Sequence, residues 1–196
     1  MSVKQIVKDA MILFFITLIS GLLLGFAYQV TKGPIAERQA AEKKKAYQAV
    51  FPEAVSFEEN ETIGGYVADC EPILAEAGIS GAEITECLEA KDSSGAILGY
   101  AMSMTFAGSQ GEMTMAYGWA MDGTTMGIDI LTSSETAKLG ALADEPEFKD
   151  QFQGGTEPFV LNENVDQISG ATITSDAVVN AANGGMAFAE YCAKGE

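Results

Sequence analysis

At 196 residues, 47% of them apolar, the chain has room for one globular domain plus an anchor, and enough apolar surface for a core, so disorder is excluded for most of its length. It has no histidine, which excludes a histidine-based triad, a histidine-ligated haem and the usual zinc sites. Charge is uneven: seven basic and three acidic side chains in residues 1–45 give +4, whereas four basic and 25 acidic in residues 46–196 give −21, so the globular part should repel nucleic acid and anionic lipid.

After a segment of nine residues, whose cytoplasmic placement follows from the resemblance given below, Ala10 to Val30 runs for 21 residues without a formal charge. About 20 helical residues cross a hydrocarbon core roughly 30 Å thick, so 10–30 is predicted to be a transmembrane helix in contact with membrane lipid. Tyr28-Gln29-Val30-Thr31-Lys32 follows in place of a small-residue cleavage site, which makes it an uncleaved, single-pass anchor. Gly21 and Gly25 have the GxxxG spacing that lets another membrane helix approach closely. Lys4 and Lys8 precede the span, but Lys32, Arg38 and Lys43–Lys45 follow it, and a positive-inside count places the following domain in the cytoplasm.

Gly33-Pro34 is predicted to end the first helix, and Ile35 to Val50 to form a second, so that 31–50 is a helical stalk closed by Pro52. From 51 to 196 the pattern is that of a globular domain. Strand-like runs fall at Gly65–Ala68, Ile84–Ala90, Ile97–Met104, Glu112–Met121 and Thr125–Leu131, with turns at Asp92-Ser93-Ser94-Gly95 and Asp122-Gly123. A short helix is expected over Cys70–Ile79, and further helices at Thr136–Ala143, Glu147–Phe152 and Ser175–Tyr191. The fold class is therefore α+β: a meandering antiparallel sheet covered on one side by helices.

Cys70, Cys87 and Cys192 form no CxxC, which argues against iron–sulfur or zinc ligation. Spacing allows either a Cys70–Cys87 disulfide outside the cell or buried free thiols. Met102, Met104, Met113, Met115, Met121 and Met126 read as packed core or flexible apolar surface; no histidine or nearby cysteine joins them as a soft-metal ligand. No metal site and no dinucleotide fingerprint is found.

The stretch with the most chemical content is Asp166-Gln167-Ile168-Ser169-Gly170-Ala171-Thr172-Ile173-Thr174-Ser175, which enters the helical pattern of Ala177 to Tyr191. Hydroxyls and backbone N–H groups at a helix start suit a phosphate, because the orphan donors and the helix dipole both favour an anion. The plainer reading is a turn and a capped helix, with Thr174 or Ser175 as N-cap and Asp176 as a first-turn acid.

Asp166 to Thr174, as Asp-x-x-Ser-Gly-Ala-Thr-x-Thr, resembles the flavinylation motif of the FMN-binding domain family, found in the G subunit of Rnf electron-transport complexes and the C subunit of sodium-pumping NADH:quinone reductases. The resemblance extends to the apolar anchor, the stalk, Gly99-Tyr100 and Glu135-Thr136-x-x-Leu139-Gly140, and so covers nearly the whole chain. It implies that Thr174 carries FMN through a phosphoester bond, with Ser169, Gly170, Ala171, Thr172, Glu135, Thr136, Leu139 and Gly140 around the cofactor. It also implies a separate flavin transferase that uses FAD and a divalent metal, releases AMP and reads Asp166, Ser169, Gly170, Ala171 and Thr172. No residue of this chain resembles activating machinery for the weakly nucleophilic hydroxyl, so the chain would be that enzyme's substrate and contain no catalytic residue.

The family usually has Glu-Thr-Pro-Gly-Leu-Gly where this chain has Glu135-Thr136-Ala137-Lys138-Leu139-Gly140. Lys138 can offset a flavin phosphate or reduced flavin, or be a surface lysine. The resemblance further implies an extracytoplasmic domain, against the charge count, and a redox subunit working with the other membrane subunits of an Rnf-type complex. Alternatives are a component like the C subunit of a sodium-pumping quinone reductase and a flavin-free tethered interaction module.

Overall fold

The computed structural model describes residues 3–137 and 139–195. They fall into two compact units, one ending at Glu42 and the other running from Lys43 to Glu196. Helix α1, Val3–Val50, contributes to both. Pro34 lies within it, so the expected break at Gly33-Pro34 is not made. A proline removes one N–H donor, and the helix formers that follow, Glu37 to Lys45, carry the helix on. In the first unit Leu22, Leu23, Leu24 and Phe26 have no cover from the chain and are about two-thirds exposed. Among the described residues this is the one helix long and apolar enough to cross a membrane.

The second unit is built on five antiparallel strands whose order in space is their order in sequence: β1 Ser56–Glu59, β2 Ala82–Lys91, β3 Ile97–Ala107, β4 Glu112–Ala120 and β5 Thr125–Thr132. The expected meander is present. The expected first strand is not: Gly65–Ala68 belongs to helix α2, Glu61–Ala68. Asn60 accounts for the difference, because its side-chain oxygen accepts the N–H groups of Thr62 and Ile63 and starts a helix there. Helix α3 spans Cys70–Glu76. The expected helix at Thr136–Ala143 is irregular until a 3-10 turn at Gly140–Asp144. It is followed by α4, Pro146–Lys149, and a second 3-10 turn, Asp150–Phe152.

The last helix, α5, spans Thr172–Lys194 and covers one sheet face. Strand alternation puts Tyr100, Met102, Met104 and Phe106 of β3, with Met113, Met115 and Tyr117 of β4, on that face. Because the sheet supplies the bulk, α5 must be thin there: a Cβ at Gly185 would lie 2.7 Å from Tyr117 Cδ1. Of the six methionines in the strand region these four are in that core, where Met186 of α5 joins them; Met126 packs on the opposite face and Met121 is exposed.

That opposite face is covered too, contrary to the one-sided expectation. It is lined by small residues, Ala90, Gly99, Ala101, Ala116 and Gly118, and receives Tyr47, Val50 and Phe51 from the end of α1 and just beyond. A Cβ at Gly99 would fall 2.1 Å from Trp119 O and 2.9 Å from Phe51 Cζ, so the helix end fits only where side chains are missing. Glu86 on β2 fixes it, accepting the Tyr47 hydroxyl at 2.5 Å and pairing with Lys43 Nζ at 2.9 Å. Burial and the Glu86 carboxylate both push the Tyr47 phenol far above its ordinary pKa. All three cysteines are buried free thiols. The Cys192 thiol beside Cys87, together with burial, raises the Cys87 pKa.

Candidate functional site

Helix α5 begins three residues earlier than expected, so Thr174 and Ser175 are inside its first turns and the N-cap is Ala171, with no side-chain cap. Ser175 works in a different way: its hydroxyl accepts the Ile168 N–H and donates to the Ala171 carbonyl, each at 3.0 Å, closing the Ile168–Ala171 turn onto the helix. The turn needs Gly170 at φ 78°, a left-handed conformation that glycine adopts without cost. Upstream, Gln151 holds Asp166 by accepting its N–H at 2.6 Å and donating to its carbonyl at 3.4 Å.

Thr174 is buried, with 1% of its surface exposed, and its hydroxyl donates to Glu135 Oε2 at 2.9 Å. Glu135 Oε1 accepts the Gln110 N–H at 3.0 Å. Two glycines make room for this carboxylate: a Cβ at Gly108 would lie 2.3 Å from Oε1, and one at Gly140 would lie 2.2 Å from Oε2. The Thr136 carbonyl accepts the N–H groups of Leu139 and Ala141, turning the chain so that Leu139 Cδ2 is 3.2 Å from where a Gly170 Cβ would be. The two sequence elements, Glu135–Gly140 and Ser169–Thr174, therefore meet at one place. Ser169, Gly170 and Thr172 are exposed there, while Ala171 is buried. The Thr136 side chain is exposed and takes no part in the contacts described, and Lys138 lies outside the described residues.

Beside the loop is a groove of about 850 Å³, walled by Asp166–Ser169 on one side and by Leu142, Glu145–Phe148 and Gln151 on the other. Sequence reasoning missed Gly108, Gln110, Gln151 and this wall. Gly108 looked like any turn glycine after a strand, and Gln151 is brought in by tertiary folding alone.

Among the described residues from 46 onward, each basic side chain is already paired. Lys91 is with Glu58 and Glu89, Lys149 with Asp129 and Asp144, and Lys194 with Glu190. Burial works against the Lys149 charge, but its two carboxylates outweigh that and raise its pKa. Among the described residues, an anion at Ser169–Thr174 would be met by hydroxyls and first-turn N–H groups.

The chain is 32% identical over 184 residues to the G subunit of the ion-translocating oxidoreductase complex of Methanosarcina acetivorans, covering 91% of each chain. It is 34% identical over 194 residues to the G subunit of the Na(+)-translocating ferredoxin:NAD(+) oxidoreductase complex of Acetobacterium woodii, covering 92% of this chain and 89% of that one. The chain belongs to the G-subunit family of ion-translocating oxidoreductase complexes. Within this family member, the RnfG N-terminal region matches residues 1–50 and the FMN-binding domain matches residues 108–187, which contain both elements of the site. Crystal structures of NqrC from Shewanella oneidensis and of the C subunit of the Na(+)-translocating NADH-quinone reductase from Parabacteroides distasonis are also similar. The first has a TM-score of 0.46 at 20% identity, covering 56% of this chain and 61% of that one. The second has 0.45 at 19%, covering 78% and 94%.

Proposed function

We propose that this G-subunit protein carries FMN on Thr174 through a phosphoester bond and serves as the membrane-anchored redox subunit of a ferredoxin:NAD-type ion-translocating complex. The observation that carries the reading is the meeting of Thr174 with Glu135, which joins two separately recognised elements of an FMN-binding domain. The residues fit a flavin phosphate: Gly170 lets the backbone approach closely, Ser169 and Thr172 present hydroxyls at the surface, and the uncapped start of α5 offers N–H donors. Bound FMN would supply electron transfer in one- or two-electron steps. The chain's part is to tether it, to orient it through the turn fixed by Ser175, and to offer the groove bounded by Leu142 and Phe148 to its ring. A covalent bond keeps the cofactor on the protein in every redox state.

A separate flavin transferase attaches the FMN, and other membrane subunits exchange electrons with it. The helix at 10–30 anchors the chain with the FMN domain outside the cytoplasm. The test is intact-mass measurement and in-gel flavin fluorescence of the full chain co-expressed with a flavin transferase. One FMN adduct is expected, and its complete loss in Thr174→Ala. An adduct that survives the substitution would remove Thr174 as the site. The buried, partnered hydroxyl favours one other reading, a flavin-free tethered module in which Thr174 only holds Glu135; absence of any adduct would select it. Protease added to intact cells should digest the domain, and protection would reverse the orientation.

A further inference from the structure

The acceptor hydroxyl cannot be reached as it stands. Thr174 is 1% exposed, and the group over it, the Glu135 carboxylate, is wedged between glycines 108 and 140 and tied to the Gln110 N–H. Leu139 lies on Gly170 from the same segment. Transfer of a phosphoryl group needs an aligned approach to the Thr174 oxygen, so the Glu135 carboxylate and the Leu139 side chain must move away first.

After transfer it cannot return. The Oγ–P bond forms, the pyrophosphate P–O bond of FAD breaks, AMP leaves and the hydroxyl proton passes to solvent. The hydrogen that Glu135 accepted is gone. In its place stands a phosphodiester with one negative charge, its oxygens two bonds from Oγ and facing a carboxylate that had been 2.9 Å from that atom. An attractive contact becomes a repulsive one at the same position.

We propose that Glu135 is a one-way gate on the modification site, closed over the Thr174 hydroxyl in the unmodified chain and held open by the esterified phosphate afterwards. This rests on the reading of Thr174 as the attachment residue. Opening lifts Leu139 from Gly170, so the movement that admits the transferase also bares the loop that receives the phosphate.

Hydrogen exchange on the full chain in detergent micelles tests it, with wild type and Glu135→Gln each measured before and after flavinylation and the adduct verified by mass. The reporters are the Leu139 and Ala141 amides, which donate to the Thr136 carbonyl in the closed segment. Flavinylation should speed their exchange by about tenfold in wild type, and by less than about threefold in Glu135→Gln, whose neutral amide is not repelled. If Glu135→Gln does not fold, Glu135→Ala takes its place in the same comparison. Unchanged exchange in flavinylated wild type, or equal acceleration in the variant, overturns the gate alone. Absence of an adduct overturns the attachment reading and the gate with it.

Discussion

Glu135 occupies a space that exists only because residues 108 and 140 lack side chains. Gly140→Ala should therefore displace it, releasing the Thr174 hydroxyl and costing about 1–3 kcal/mol from overpacking. Urea denaturation of the unmodified chain would measure the loss. Gly140 was legible as the last residue of one recognised string, and Thr174 as the last residue of the other. Gly108 was not, because Gly108-Ser109-Gln110-Gly111 has the composition of any strand-to-strand turn. A second residue-scale expectation concerns acid. Asp92 accepts the Ser94 hydroxyl and the N–H groups of Ser94 and Ala96, which hold its carboxyl below the ordinary aspartate pKa. A depressed folded pKa means that the stability it contributes is present above the unfolded value, about 3.9, and is lost as pH falls through the folded one. Asp92→Asn should flatten that part of the curve of Tm against pH, its deficit relative to the parent chain being largest near neutrality and closing toward low pH.

At the scale of elements, the sheet was legible and its flanking helices less so. The strands β2 to β5 announce themselves by apolar runs between tight turns, whereas β1, Ser56–Glu59, is four residues long and no more than half-buried, with no apolar run to mark it. The Gly65–Ala68 run reads as a strand between turn residues, yet becomes helical because Asn60 caps it. Asn60 also reaches the sheet, where its Nδ2 donates at 2.6 Å to Glu89 Oε1, a buried carboxylate whose other oxygen pairs with Lys91. Asn60→Ala should thus cost more than a cap alone. Losing the cap is about 1 kcal/mol, and leaving a buried charged acceptor short of a donor adds about 1–3 kcal/mol. The urea midpoint should fall accordingly. A shift of only about 1 kcal/mol, that of the cap alone, would show that the Glu89 bond contributes nothing.

For the whole molecule, charge and layering pull in different directions. The domain from residue 46 carries a net −21, and its few described lysines are all in ion pairs, so the excess acid repels itself. Raising salt from roughly 0.01 M to 0.5 M shortens the screening length from about 30 Å to a few Å and should raise Tm; a Tm that falls with salt would mean that the ion pairs outweigh the excess. The three-layer arrangement was hidden from sequence reading because the end of α1 looks like a mixed, polar stalk. Only the glycines and alanines of the sheet's second face reveal that something packs there, and small residues leave no hydrophobic signature.

The meander itself sets an order in time. Each strand pairs with the one made just before it, so the sheet can assemble edge by edge from its N-terminal side. α5 is synthesised last and closes the methionine face, bringing Thr174 beneath Glu135 at the final step. A nascent chain thus has its whole sheet, and the carboxylate waiting between its two glycines, before it has an acceptor to bury. Chains truncated within α5 would display the Asp166–Thr174 string uncovered, as the full chain does until the last turns of the helix dock.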